Sequence, residues 1–198
     1  LPPGAANPFP VIVGTSAGAI NAVTLASGAA RFSDAVQRLT TFWQNFRSHL
    51  VIRSDWPGVI RQASHFVGHS LLGLGGQGPV ALLDSSPLRS LLQTHLDLGG
   101  IDQALASEQL RAVAVTAFAY ESGQAVTFYQ ARGSIDAWLR HRRIGMPTPL
   151  TIDHLLASSA IPLLFAPVRL GEEYYGDGAV RQSAPISPAL HLGANRIL

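Results

Sequence analysis

The sequence contains no cysteine. Disulfides, thiolate metal sites and a cysteine nucleophile are therefore excluded. Charge is scarce too: 13% of the residues are Asp, Glu, Lys or Arg, and the formal net charge is +2 at pH 7. No basic run with interleaved aromatics occurs, which argues against nucleic acid as a partner. Arg140-His141-Arg142-Arg143 is the one basic cluster, and it reads as a solvated helix end rather than a contact for anionic headgroups. Long unbroken apolar runs are also missing. Leu1 to Ala30 carries no charge, but Pro2, Pro3, Pro8 and Pro10 interrupt it, and Gly14 and Gly18 break it again. No stretch of about 20 apolar residues remains to span a bilayer, and no basic n-region marks a signal peptide. Gly73, Gly75, Gly76 and Gly78 lack the G-x-x-x-x-G-K-[ST] spacing of a phosphate cradle, and His65 and His69 lack the H-E-x-x-H pattern. Neither a cofactor nor a metal is expected.

What is present is apolar. Hydrophobic residues make up 47% of the 198, enough for a single domain over residues 1–198 with a full core. Val11 to Val13 reads as a buried strand, followed by an Ala-rich helix from Ala17 to about Ala26. Ser33 is a candidate N-cap for a helix from Asp34 to about Arg47, with Ala35, Leu39, Phe42, Trp43 and Phe46 on one face. Between His49 and Gly78 the pattern weakens. Val51-Ile52 suits a short strand, Trp56-Pro57-Gly58 a turn and Val59 to Leu74 a helix, and the stretch from Val51 to Gly78 suits an apolar groove or its cover. Ser86 and Pro87 start a helix running to about His95, and Ile101 to Ala106 gives another. Arg111 to Tyr120 and Ala125 to Ala131 form a hairpin, as do Val168 to Leu170 and Tyr174-Tyr175. Thr151 caps a helix from Ile152 to Ser159, Ser187 to Leu192 is a helix closed by Gly193, and Arg196 to Leu198 reads as a final strand. Strands alternating with helices imply an α/β domain with a mainly parallel sheet.

One stretch carries chemistry. Gly14-Thr15-Ser16-Ala17-Gly18 is a G-x-S-x-G between strand and helix, the context of a nucleophile elbow. Small neighbours let strand and helix pass closely, and a helix opening at Ala17 aims N–H groups and a positive dipole end at the reacting oxygen. A serine nucleophile needs a base. None of the seven histidines sits in a recognisable motif. Asp177 does: it follows a strand and lies between Gly176 and Gly178, although Asp-Gly is also an ordinary turn pair.

Three separated segments resemble the patatin-like acyl hydrolase family. They are Gly14 to Ala22, then Ala157-Ser158-Ser159-Ala160-Ile161-Pro162 with Phe165 to Val168, then Tyr175-Gly176-Asp177-Gly178-Ala179-Val180 followed by Ala184-Pro185-Ile186 and Leu192-Gly193-Ala194. The resemblance implies a three-layer α/β/α fold and cleavage of lipid acyl esters by a dyad, with Ser16 as nucleophile and Asp177 as general base. Gly14, Thr15, Ala17, Gly18, Gly178 and Ala179 would support the two. The Ala17 N–H would donate to the oxyanion, while the family's glycine-rich oxyanion loop would lie upstream of Leu1. The chain would then be a domain cut at both ends, and activity is assigned to the intact protein. A lipid or acyl-ester substrate, peripheral membrane contact and a cytoplasmic or peripheral-membrane location follow as expectations. Two other readings stand beside this one: an α/β-hydrolase esterase recruiting Asp177 and His191 into a triad, and a non-catalytic lipid-binding or interaction module.

Overall fold

The computed structural model describes residues 2, 4–45, 83–182 and 185–198. In chain order the elements are β1 (Val11–Thr15), α1 (Ala17–Ser27), a 3-10 turn (Ala29–Arg31), α2 (Phe32–Asn45), α3 (Ser86–His95), α4 (Gly99–Ala106), β2 (Ala112–Ala119), β3 (Ala125–Ala131), β4 (Trp138–Arg140), β5 (Arg143–Pro147), α5 (Ile152–Ser158), β6 (Val168–Leu170), β7 (Glu173–Asp177), a second 3-10 turn (Gly178–Val180) and α6 (Ile186–His191). The seven strands share one sheet, ordered β4-β5-β3-β2-β7-β6, with β1 also on β2.

The period-2 alternation of strand side chains sorts residues between the two faces of this sheet. Val113, Val115, Ala117 and Ala119 of β2 turn to one face with Val126 and Phe128 of β3, where they meet Ile20 and Val23 of α1, Leu92 of α3, Ile101 of α4 and Leu155 of α5. Ala112 and Ala114 turn to the other face with Tyr129 and Trp138, against Leu192 at the end of α6. Helices on both faces give the expected α/β/α arrangement.

The sheet is not mainly parallel. Only β1–β2 and β3–β5 are parallel, whereas β2–β3, β2–β7, β4–β5 and β6–β7 are antiparallel. For three of these four antiparallel pairs the cause is connection length: hairpin turns join β2 to β3, β4 to β5 and β6 to β7, and a parallel pair needs a crossover of a dozen residues or more. The basic cluster belongs to one of these hairpins rather than to a helix end: His141 and Arg142 form the turn between β4 and β5, with Arg142 at φ 58.

Other departures are local. α2 begins at Phe32, so Ser33 lies inside it. Phe32 is buried and packs edge-on to Phe9 (centroids 5.9 Å apart), and this burial outweighs the capping preference of Ser33. At α3 the capping oxygen comes from Asp84, whose Oδ1 accepts from the N–H and hydroxyl of Ser86. Arg196 to Leu198 is not a strand. Phe46, the elements expected between His49 and Gly78, the histidine pair, the glycine loop and the suggested groove lie outside the described residues. No helix among the described residues is long and apolar enough to cross a membrane.

Candidate active site

β2 has two partners along the same edge. β1 runs parallel to its first part and ends with Thr15 opposite Thr116. β7 runs antiparallel to its last part and ends with Asp177 opposite Ala117. The two strands thus meet end to end, and the next residue after β1 is Ser16. Residues 161 apart in sequence come together here: Ser16 Oγ donates to Asp177 Oδ2 at 2.5 Å.

Each side of this junction is held tightly. Ser16 has φ 55 and ψ −132, the left-handed side of backbone space, where a non-glycine residue is strained by about 1–3 kcal/mol. α1 begins immediately after it. A Cβ on Gly14 would lie 2.1 Å from the carbonyl oxygen of Gly18, so only glycine lets the strand pass this close to the first helical turn. Gly18 itself has open space where its Cβ would be. On the other side, a Cβ on Gly178 would lie 2.2 Å from the carbonyl oxygen of Thr116 and 2.4 Å from Thr15 Oγ1. Asp177 is 4% exposed. Its Oδ1 accepts from the Ala179 N–H at 2.8 Å, and its own N–H donates to the Ala160 carbonyl at 2.8 Å. None of the ion pairs among the described residues involves Asp177, so this buried carboxylate is held by an amide and a hydroxyl.

Two side chains at the junction carried no role in the sequence reading. Ser158, at the end of α5, is fully buried. Its hydroxyl donates to the Thr116 carbonyl at 2.6 Å and accepts from the Ser16 N–H at 2.9 Å. The same Thr116 carbonyl accepts from Thr15 Oγ1 at 3.2 Å. Tyr120 covers Gly176 from the second face: a Cβ on Gly176 would lie 2.6 Å from the phenol oxygen. Burial, and then the charge of Asp177, push the Tyr120 phenol pKa upward. Ser158 lies within one of the three family-like segments, but a bond across 142 residues leaves no local spacing to read.

His191 is engaged elsewhere. Its ring stacks on Trp138 with centroids 4.8 Å apart, and its Nδ1 contacts the Ser187 carbonyl at 2.8 Å. Trp138 belongs to the cluster on the second face, whereas Ala117, opposite Asp177, belongs to the core of the first. Ala17 opens α1 beside Ser16, and the first amides of a helix have no intrahelical partner. Among the described residues no group of three or more His, Asp or Glu side chains is placed to hold a metal.

A family model for Patatin-like phospholipase matches residues 1–190 of the 198. The chain belongs to the patatin-like phospholipase family. No curated protein matches it. Membership of the patatin-like phospholipases supports a lipid acyl hydrolase, with lipid as the class of substrate. In this patatin-like phospholipase chain, the matched span takes in the elbow around Ser16, the segment around Ser158 and the Asp177 turn.

Proposed function

We propose that the intact protein hydrolyses acyl esters of lipids through a Ser16–Asp177 dyad and an acyl-serine intermediate. The observation that carries this reading is the 2.5 Å hydrogen bond from the strained elbow serine to a buried carboxylate. A nucleophile within hydrogen-bond reach of its base meets the geometric requirement for proton transfer. Asp177 takes the proton as Ser16 Oγ adds to the acyl carbonyl. The tetrahedral oxyanion faces the Ala17 N–H and the positive end of α1. Collapse breaks the ester C–O bond, and Asp177 returns the proton to the departing alcohol. Water, activated by the same carboxylate, then releases the acid and restores Ser16.

Gly14 and Gly178 permit the two close approaches, Thr15 contacts the shared Thr116 carbonyl, and Ala179 fixes the carboxylate.

The test is turnover of an acyl ester by the full-length protein and its Ser16→Ala, Asp177→Asn and His191→Ala variants, with folding checked by circular dichroism. Ser16→Ala and Asp177→Asn should each lower kcat by more than about 10²-fold, and by similar amounts, because the pair acts as one unit. His191→Ala should retain turnover. Loss of activity in His191→Ala with Asp177→Asn still active would favour the triad esterase. No turnover by the wild type would favour the non-catalytic module.

A further inference from the structure

Two chain segments leave the Ser16–Asp177 pair side by side. They are joined by the bond from the Asp177 N–H to the Ala160 carbonyl. One continues through Ile161, Pro162, Leu163 and Leu164, and the other through Gly178, Ala179, Val180 and Arg181. Three residues beyond the bond on each path, the side chain faces water: Leu163 is 71% exposed and Val180 53%, with Ile161 at 42%. The first path closes into a turn, since the N–H groups of Leu164 and Phe165 both donate to the Ile161 carbonyl. Proline is second in this turn and Leu163 third, with φ 70. A glycine or asparagine suits that position, and a leucine holds it against the clash of its Cβ with the backbone. Leu163 therefore gains nothing from core packing and strains its own backbone, so folding does not account for it.

We propose that Ile161, Leu163, Leu164 and Val180 form a docking rim that seats the protein on a phospholipid surface, next to the dyad. The inference rests on the lipid hydrolase reading above and adds where the lipid surface is met. Charge selects the occupant. Ala160 to Val168 carries no charged side chain, and Gly178 to Gln182 carries only Arg181, which is exposed. The two segments carry one cation and no anion of their own, which suits a headgroup layer bearing phosphate with the aliphatic side chains reaching the acyl boundary. An acid lies on the neighbouring segment, where Leu83 pairs with Leu164 and Phe165, and this Asp84 is engaged by the N–H and hydroxyl of Ser86. The rim is also continuous with a site whose family acts on lipids.

The experiment is co-sedimentation of the full-length protein with mixed phosphatidylcholine–phosphatidylglycerol vesicles. It compares wild type, Ser16→Ala and Leu163→Gly, with melting temperature and solution mass recorded for each. Wild type and Ser16→Ala should bind equally. Leu163→Gly should partition about tenfold less or weaker still, the loss expected for one leucine no longer buried, while its melting temperature holds or rises because glycine relieves the turn. A stable variant that has lost binding separates docking from unfolding. Binding is read without turnover, so a failure of hydrolysis bears on the dyad and leaves the rim standing. Equal partitioning of Leu163→Gly and wild type would overturn the proposal, as would a wild type that stays in the supernatant. A wild-type dimer that Leu163→Gly dissociates, with no vesicle binding, would overturn it in favour of contact between copies.

Discussion

Ser158 fixes the backbone of Ser16 from behind. Its hydroxyl sits between the Ser16 N–H and the Thr116 carbonyl, so the backbone of the elbow is anchored to β2 at the point where β1 has ended. Removing the hydroxyl leaves the Ser16 amide without its partner, while the Thr116 carbonyl keeps Thr15. Ser158→Ala is therefore expected to destabilise the fold by about 1–3 kcal/mol, the usual range for an orphaned buried group. It should also let the serine drift from the carboxylate. Steady-state kinetics on the folded variant should give a kcat lower by about tenfold or more with KM little changed, because the loss is of orientation and not of substrate contact. A rise in KM alone would assign Ser158 to substrate binding instead. Ser16 was legible in the sequence because strand, glycine spacing and helix are all local. Asp177 was legible only beside the two other segments of the family resemblance. Ser158 and Tyr120 were not legible in their roles, since each acts on a residue far away in the chain.

At the scale of elements, short helices and turns decide what the junction rests on. α5 begins with a capping box in which Thr151 caps and His154 stands at the third helical position. His154 Nδ1 accepts from the Thr151 N–H at 3.0 Å, and its ring lies 4.5 Å from that of Phe128. Burial lowers the His154 pKa below 6.5, and the charge of Asp153 offsets part of that. The unfolded chain therefore takes up this proton first as pH falls. The stability tied to neutral His154 is complete above about pH 6.5 and is lost as pH drops from there toward the folded-state pKa, at no more than about 1.4 kcal/mol per pH unit. Urea melts between pH 7.5 and 5 should show this decline. It should be shallower in His154→Gln, which restores the usual Thr-x-x-Gln box; an unchanged slope would mean that His154 does not carry the effect. Thr151 was readable as a cap because its signal is local. The β4–β5 hairpin was not, because a three-residue strand beside arginines carries no clear period, and its register is set by Trp138 lying over Gly145.

Over the whole molecule, the site is a product of topology. β1 and β7 bring Ser16 and Asp177 together only because one is parallel and the other antiparallel to β2, so that their last residues face each other. Strands alternating with helices led to the expectation of a mainly parallel sheet, and a β7 parallel to β2 would not bring the two strand ends together in this way. The α/β class was legible from strands alternating with helices, and the layer order from the family resemblance. Strand direction was not, because it depends on which strands pair. The central claim is that Ser16 is a nucleophile activated by Asp177. The most direct measurement is labelling of the full-length protein with a fluorophosphonate, in which Ser16 Oγ bonds to phosphorus, fluoride leaves and the carboxylate takes the proton, followed by mass spectrometry of the peptides. One adduct is expected, on Ser16, forming more than about 10²-fold more slowly in Asp177→Asn. An adduct on another residue, or a Ser16 adduct forming at the same rate in Asp177→Asn, would contradict it.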